Sequence, residues 1–370
     1  MMERPVPRPV RQCVMRSLPC SDFPEAMTNG GEILKVIPAA AIPGAEVAIE
    51  YRTVSTKVAS AIGFNFDGKP AQITAAGRSR ALVRVPVISS EQPVHITTTV
   101  NGVEASSSDV KLVVGRSIIS DVHPVASPAF HPTDGSLYVT RSGSRGEHVP
   151  VSIFRVDSDG AVEDFSGDIL NPTGIAFGPL ARMYVTSRFD GTVYRVSPVR
   201  EVVAFAEDLG IATGLAFDRH GQMFVGDRSG NIFRVNEIGG AEKWAEHEPS
   251  VSAYHLAFGA DDSLYVTGPT VSSFDAITRF DEDGNASTFY RGLGRPQGLA
   301  FDREGNLYVA ASLRGRRGVV RISPDGSDAE LLVAGMNVVG LAFGPNGDMV
   351  VATNEAVFNL PLGIQGALLD

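Results

Sequence analysis

The side chains best suited to selective chemistry are arginines gathered on short, spaced segments. These are RSGSRGEHV (141–149), SRFDGT (187–192), DRSGN (227–231), GPTVSSFDA (268–276), ASLRGRRG (311–318) and TNEA (353–356). Together they hold seven arginines (Arg141, Arg145, Arg188, Arg228, Arg314, Arg316, Arg317), no lysine and five acids (Glu147, Asp190, Asp227, Asp275, Glu355). Their net charge is +2 in a chain whose total is −10. A guanidinium fork holds carboxylate or phosphate through two parallel hydrogen bonds, which lysine cannot do. The pattern points to capture of an anion: an acidic sugar, a phosphorylated metabolite or a nucleic-acid backbone. The competing reading is a solvated rim in which the arginines pair with Asp190, Asp227 and their neighbours. Phe189 and Phe274 are the aromatic candidates for stacking on a base.

Other chemistry is thinly represented. The histidines (His95, His123, His131, His148, His220, His247, His255) show no H-E-x-x-H spacing, and the chain has no G-x-S-x-G elbow or Walker A loop. His123 and His255 fall near the starts of two repeats and leave a histidine-based hydrolase open. The plainer reading is that they cap a turn or seal a channel. Cys13 and Cys20 precede the first plausible strand and read as incidental thiols of a reduced compartment.

The chain has 370 residues, 43% hydrophobic and 20% charged, enough for two globular domains. A net charge of −10 argues against whole-surface binding of nucleic acid or membrane. No apolar run reaches the roughly 18 residues that span a bilayer. The start, MMERPVPRPVRQCVMRSLPC, lacks the apolar stretch of about 7–15 residues found in a secretory signal. Residues 1–30 are therefore expected to form a disordered tail, or to precede a true start at Met27, in a cytoplasmic protein.

What must position the arginines is a repeat. GIAFGPLARMYVT from Gly174 recurs as GLAFDRHGQMFVG from Gly214, GLAFDREGNLYVA from Gly298 and GLAFGPNGDMVVA from Gly340. Weaker copies, SPAFHPTDGSLYVT from Ser127 and HLAFGADDSLYVT from His255, complete the set. Their phenylalanines (Phe130, Phe177, Phe217, Phe258, Phe301, Phe343) are spaced by 47, 40, 41, 43 and 42 residues. A period near 40 with strand-like content predicts a six-bladed β-propeller. Each repeat supplies an inner strand, an LYV strand, an IFRV-type third strand and an outer strand. The arginine-bearing segments then join second to third strands around one channel mouth. The recurring third-strand arginines (Arg155, Arg195, Arg234, Arg279, Arg321) read as architectural, in ion pairs between blades. The last copy ends after its third strand, so Arg116–Ser120 is expected to supply its outer strand and close the ring.

Ahead of the propeller, residues 31–115 carry short alternating strands with turns at Asp67-Gly68 and Asn101-Gly102, the pattern of a small β-sandwich. This stretch resembles an IPT/TIG immunoglobulin-like domain. The resemblance rests on I-x-P…PG-x-x-V-x-I, on Gly68 and Ala71, on V-x-V-P at Val83–Pro86 and on the closing V-NG-x-x-S. No Gly-, Ser- or Pro-rich linker follows, so a rigid junction is expected.

The repeats, over residues 116–366, resemble NHL repeats and the six-bladed propellers of the senescence-marker-protein and gluconolactonase type. Arg295–Ala310 and Val319–Gly326 carry the shared strings most fully. That resemblance implies hydrolysis of sugar lactones with calcium or zinc, held by a Glu at the start of the first inner strand and by Asn and Asp before the later glycines. Here those places hold Ala126, Thr173, Thr213, Tyr254, Gln297 and Val339, with no carboxylate. A hard dication needs such oxygen donors. The expectation is therefore an all-β, non-catalytic binding or scaffolding protein, without metal or cofactor. Its propeller face would use Arg141, Arg188, Arg228, Arg314 and Arg316 with Thr173, Thr213, Tyr254 and Gln297. The alternative is a lactonase- or esterase-like hydrolase with a rebuilt site.

Overall fold

The computed structural model describes residues 32–52, 62–88, 93–100, 103–120 and 125–367. The expected tail, Cys13, Cys20, Met27, His123 and the Asn101-Gly102 turn lie outside the described residues. Among the described residues, the regular structure is strand apart from a 3-10 turn at Pro179–Ala181. No helix among the described residues is long and apolar enough to cross a membrane.

The repeat folds as six four-stranded antiparallel blades. Blade two shows the plan, with Pro172–Gly178 innermost, then Arg182–Ser187, Thr192–Val196 and Val202–Ala206 outward. The chain closes the ring as the missing outer strand required: Arg116–Ile119 pairs with Val357–Pro361, joining Arg116 to Asn359 and Ser117 to Phe358.

The repeated aromatic residues explain why blades stack. The second-strand ring of one blade meets the inner phenylalanine of the next at five seams. These are Tyr138–Phe177 (5.5 Å), Tyr184–Phe217 (5.3 Å), Phe224–Phe258 (5.2 Å), Tyr265–Phe301 (4.9 Å) and Tyr308–Phe343 (5.1 Å). Tilted or edge-on aromatic pairs at this separation add about 0.5–1.5 kcal/mol beyond burial. At the sixth seam Val350 stands in the aromatic position and packs with Phe130 and Ile119.

Four of the five third-strand arginines form ion pairs, though not between blades as expected, and Arg195 makes none among the described residues. Arg155 pairs with Glu163 and Asp134, Arg234 with Glu242, Arg279 with Asp261 and Arg321 with Glu330, each within one blade. The antiparallel register sets Arg155 opposite Glu163, Arg234 opposite Glu242 and Arg321 opposite Glu330, so the nearest carboxylate is on the same sheet. The blade-to-blade ion pairs come from turn residues instead, Arg200 to Glu163 and Arg219 to Asp262.

Before the propeller, two antiparallel sheets share a core. One runs Glu32–Ile37, Glu46–Arg52, Arg80–Arg84, Gln72–Ala76 in spatial order. The other holds Lys69–Pro70, Ile62–Phe66, Val94–Val100 and Val103–Val114. Ile49, Tyr51, Phe64, Ile96 and Leu112 are buried between them. The Asp67-Gly68 turn has both residues at positive φ (45° and 78°), as a tight hairpin turn requires.

The junction is continuous. Ala40–Ala41 pairs in parallel with both Val103–Val114 and blade five's outer strand, Ala329–Ala334. Gly115 alone separates Val103–Val114 from the closing strand, and a Cβ there would press on Ile42 at 3.1 Å and Phe358 at 3.2 Å. One core cluster runs from Ile49 and Phe64 through Ile42 to Val333, Leu341 and Leu360.

Candidate functional site

The strand register puts the sequence-predicted segments on one face. Pro172 pairs with Ser187, Ala212 with Asp227, His255 with Thr267 and Val338 with Thr353, so inner strands begin where second strands end. This face surrounds the channel, whose wall is built from equivalent positions: Ser127, Gly174, Gly214, His255, Gly298 and Gly340. The glycines are steric requirements. A Cβ on Gly174 would lie 2.5 Å from the Thr213 carbonyl oxygen, and one on Gly214 would lie 2.5 Å from that of Tyr254. The channel is only about 90 Å³, room for a few waters, so a larger ligand must sit at the mouth.

His255 takes a glycine's place on that wall and is 9% exposed. Burial pushes its imidazole down to about 4, so it is neutral at pH 7.

The ring of positions before the inner-strand glycines was the candidate ligand set, and it has structural employment. The Thr173 hydroxyl donates to the Asn171 carbonyl at 3.4 Å. The Thr213 hydroxyl donates to the Gly226 carbonyl at 3.2 Å and accepts from the Tyr254 N–H at 3.0 Å. Tyr254 is fully buried, lies beside His247 and donates its hydroxyl to the Glu248 carbonyl. Gln297 is half-buried, and its carbonyl accepts from Thr267. A calcium or zinc ion is a poor fit for this donor set: it carries no carboxylate, and its Thr and Tyr hydroxyls are engaged with backbone. Among the described residues, no group of three or more His, Cys, Asp or Glu could hold a metal.

Sequence reasoning missed the residues that stitch this ring together. The last residue of the LYVT motif donates its hydroxyl across the seam to the next blade. Thr140 reaches the Thr173 carbonyl (3.1 Å), Thr186 that of Thr213 (2.5 Å) and Thr267 that of Gln297 (2.6 Å). The signal was present, a threonine at one repeat position in these blades. Asn171 was also missed: fully buried, it accepts from the Gly146 N–H and donates to the Gly143 and Ser144 carbonyls, clamping blade one's loop onto blade two.

The arginines divide into two groups. Arg141, Arg188 and Arg228 are half-buried on blades one to three, with Arg145 exposed beside them. Arg188 donates one bond, Nη2 to the Gly143 carbonyl at 3.0 Å. Its Nε is buried without a partner, as is that of Arg141. Burial first, then the charges of Arg228 and Arg145, pull the Arg188 guanidinium below its ordinary value. Of the acids in the solvated-rim reading, Asp190 and Asp227 are engaged with other groups. Asp190 accepts from Thr192 and Tyr194, and Asp227 accepts from Ile211, Ser229 and Asn231. Burial alone would raise the Asp227 carboxyl, but these hydrogen bonds hold it below its usual value.

The blade-five arginines stand elsewhere. Leu307–Leu313 and Arg316–Ile322 form a long hairpin with an exposed turn at Arg314-Gly315. Arg316 donates from Nη2 to the Ile37 carbonyl of the N-terminal sheets at 2.7 Å. It therefore stands apart from the channel-mouth arginines of blades one to three, because the hairpin extends to the N-terminal sheets.

No protein-family model matches this sequence, and no curated protein matches it. Solved structures match by fold. A structural genomics protein of unknown function from Bacteroides thetaiotaomicron aligns over 92% of this chain and 99% of its own, with TM-score 0.55 and 13% identity. An auxiliary nutrient binding protein from the same organism aligns over 90% and 97%, with TM-score 0.52 and 11% identity. A gluconolactonase from Xanthomonas campestris aligns over 67% and 90%, with TM-score 0.55 and 15% identity. The chain shares the propeller fold of these proteins, a fold that hosts many chemistries.

Proposed function

We propose that this chain is a non-catalytic binding protein whose channel mouth captures an anion over blades one to three. The observation that carries this reading is the Arg188 guanidinium. Its Nε is buried without a partner, and Arg228 and Arg145 add positive charge beside it. A buried charge lacking a counter-ion is costly, and a ligand carboxylate or phosphate relieves that cost. Arg141 and Arg228 extend the surface to neighbouring blades, and the narrow channel leaves the ligand outside, at the mouth. A small acidic sugar or phosphorylated metabolite suits it better than nucleic acid, since Phe189 alone among these blades' loops offers a stacking face. The domain reading is an IPT/TIG-like module over 31–115 beside an NHL-like propeller over 116–366, supported by the two N-terminal sheets and the continuous junction. Cytoplasmic location belongs to the same reading.

Charge reversal tests it. The Arg188→Glu, Arg228→Glu double variant should lose the thermal stabilisation that citrate, inorganic phosphate or glucuronate gives the parent. Undiminished stabilisation would rule the site out. A lactonase- or esterase-like hydrolase is the second reading, favoured by the neutral imidazole of His255 in the channel. Turnover of gluconolactone or an aryl ester, with calcium or zinc supplied and abolished in His255→Ser, would replace the first reading with it.

A further inference from the structure

A second concave surface lies where the N-terminal sheets meet blade five. The outer face of the sheet containing Glu46–Arg52 and Arg80–Arg84 carries cross-strand pairs Glu46–Arg84, Ala48–Leu82 and Glu50–Arg80. Opposite it stands the long blade-five hairpin, fixed by the Arg316 bond to the Ile37 carbonyl. Between them is a crevice of about 510 Å³, within the roughly 300–1,000 Å³ usual for small-molecule sites, which favour domain junctions.

Its lining separates into two kinds. Ala75, Ala76 and Leu82 give a small apolar floor, while Glu46, Arg80 and Arg316 supply the charge. Arg80 is exposed and makes no ion pair among the described residues, although it is close enough to Arg316 to repel its charge. Burial first, and then that repulsion, pull the Arg316 guanidinium below its ordinary value, against a smaller upward pull from the Glu46 charge. Glu46 accepts the Thr74 hydroxyl on Oε2 at 2.5 Å, and its Oε1 accepts no hydrogen bond among the described residues. Two cations therefore face one open acceptor across an apolar floor.

We infer that this crevice binds a small carboxylate that also bears a hydroxyl or ammonium group. The carboxylate lies between Arg80 and Arg316, where a guanidinium fork can hold both oxygens. The hydroxyl or ammonium donates to Glu46 Oε1, and the carbon body covers Ala75, Ala76 and Leu82. This site is independent of the channel mouth and shares none of its residues.

Mandelate is a probe with all three features; phenylacetate lacks the hydroxyl and benzyl alcohol the carboxylate. Titration calorimetry on the full chain should show mandelate binding about tenfold more tightly than phenylacetate, with benzyl alcohol weakest, one charge-assisted hydrogen bond being worth about that factor. Arg80→Ala, on an exposed strand position, should weaken mandelate at least about tenfold with an unchanged melting temperature. Glu46→Ala should erase the preference for mandelate over phenylacetate. The Arg188→Glu, Arg228→Glu variant should bind mandelate as the parent does. Absence of mandelate binding, or binding indifferent to Arg80→Ala, overturns the inference. Binding lost only in the Arg188→Glu, Arg228→Glu variant also overturns it, placing the anion at the channel mouth.

Discussion

The seams between blades and the rim of the channel mouth come from one repeat, yet they treat polar groups in opposite ways. In the seams, Thr140, Thr186 and Thr267 meet carbonyls of the next blade, and second-strand rings meet inner phenylalanines. At the rim, the Nε atoms of Arg141 and Arg188 are buried without partners, and like charges adjoin. The seams carry the period and the rim departs from it. Positions that hold a ring of blades together can vary little, because each is matched to a neighbour. The loops above them are free to hold a charge that only a ligand would satisfy.

The sharpest way to break the seam side is to open the ring. Deleting residues 116–119 removes the outer strand of blade six and uncovers Val357, which is fully buried. The expected cost exceeds about 5 kcal/mol, beyond what most single substitutions reach, and shows as loss of the cooperative melt. A deletion variant melting like the parent would mean the ring closes elsewhere. Next in size is Tyr308→Ala. Tyr308 is 2% exposed, packs on Phe343 and donates its hydroxyl to Asp302 at 2.9 Å. Its truncation should cost about 3–5 kcal/mol by denaturant titration. A cost under about 1 kcal/mol would show that the stacked seam contributes little.

The seam side was also the legible side. The period of G-[I/L]-A-F predicts blade number, strand order and the closing strand, because each repeat places one small residue on the axis and one ring at a seam. The third-strand arginines show where periodicity misleads. Their recurrence announces an architectural role, but only the register reveals the carboxylates opposite Arg155, Arg234 and Arg321 on the same blade, while Arg195 faces Val203 and Arg279 faces Ser287. At the mouth, the sequence brings Arg141, Arg188 and Arg228 to one face because their loops share a place in the repeat. It cannot foresee that Arg316 is captured by Ile37, a contact spanning 279 positions of chain. Thr173, Thr213 and Tyr254 hold the positions before the inner-strand glycines, but their hydroxyls bond to backbone carbonyls, which depends on χ angles no spacing encodes.

His255 stands between the two regimes, a titratable group placed on a wall that elsewhere has glycine or serine. Burial pushes its folded-state value down to about 4 from an ordinary 6.5. Between those values the unfolded chain binds a proton that the folded chain refuses. Its stability contribution is thus complete above about pH 6.5 and is lost as pH falls towards 4, on the order of 3 kcal/mol over the window. His247 shifts in the same direction through burial. The measurement is a difference: His255→Ser should flatten the fall in unfolding free energy between pH 7 and pH 4.5. Parallel curves for parent and variant would mean the imidazole is hydrated.

Smaller effects separate a satisfied group from an unsatisfied one. Thr186→Val keeps the shape and removes the hydroxyl that Gly174 N–H donates to and that itself reaches the Thr213 carbonyl. It leaves a buried donor and acceptor unpaired and should cost about 1–3 kcal/mol. Arg228→Gln is the counterpart at the rim. It removes a charge that repels Arg188 and makes no ion pair among the described residues, so stability in ligand-free buffer should stay within about 0.5 kcal/mol of the parent and tend upward. The same variant should gain less from added citrate or phosphate, because the charge it lacks is one the anion would meet. Chemical denaturation with and without anion reads both numbers on one sample. A loss of more than about 1 kcal/mol without anion would show that Arg228 is already paired in the ligand-free protein, and the contrast between seam and rim would fail there.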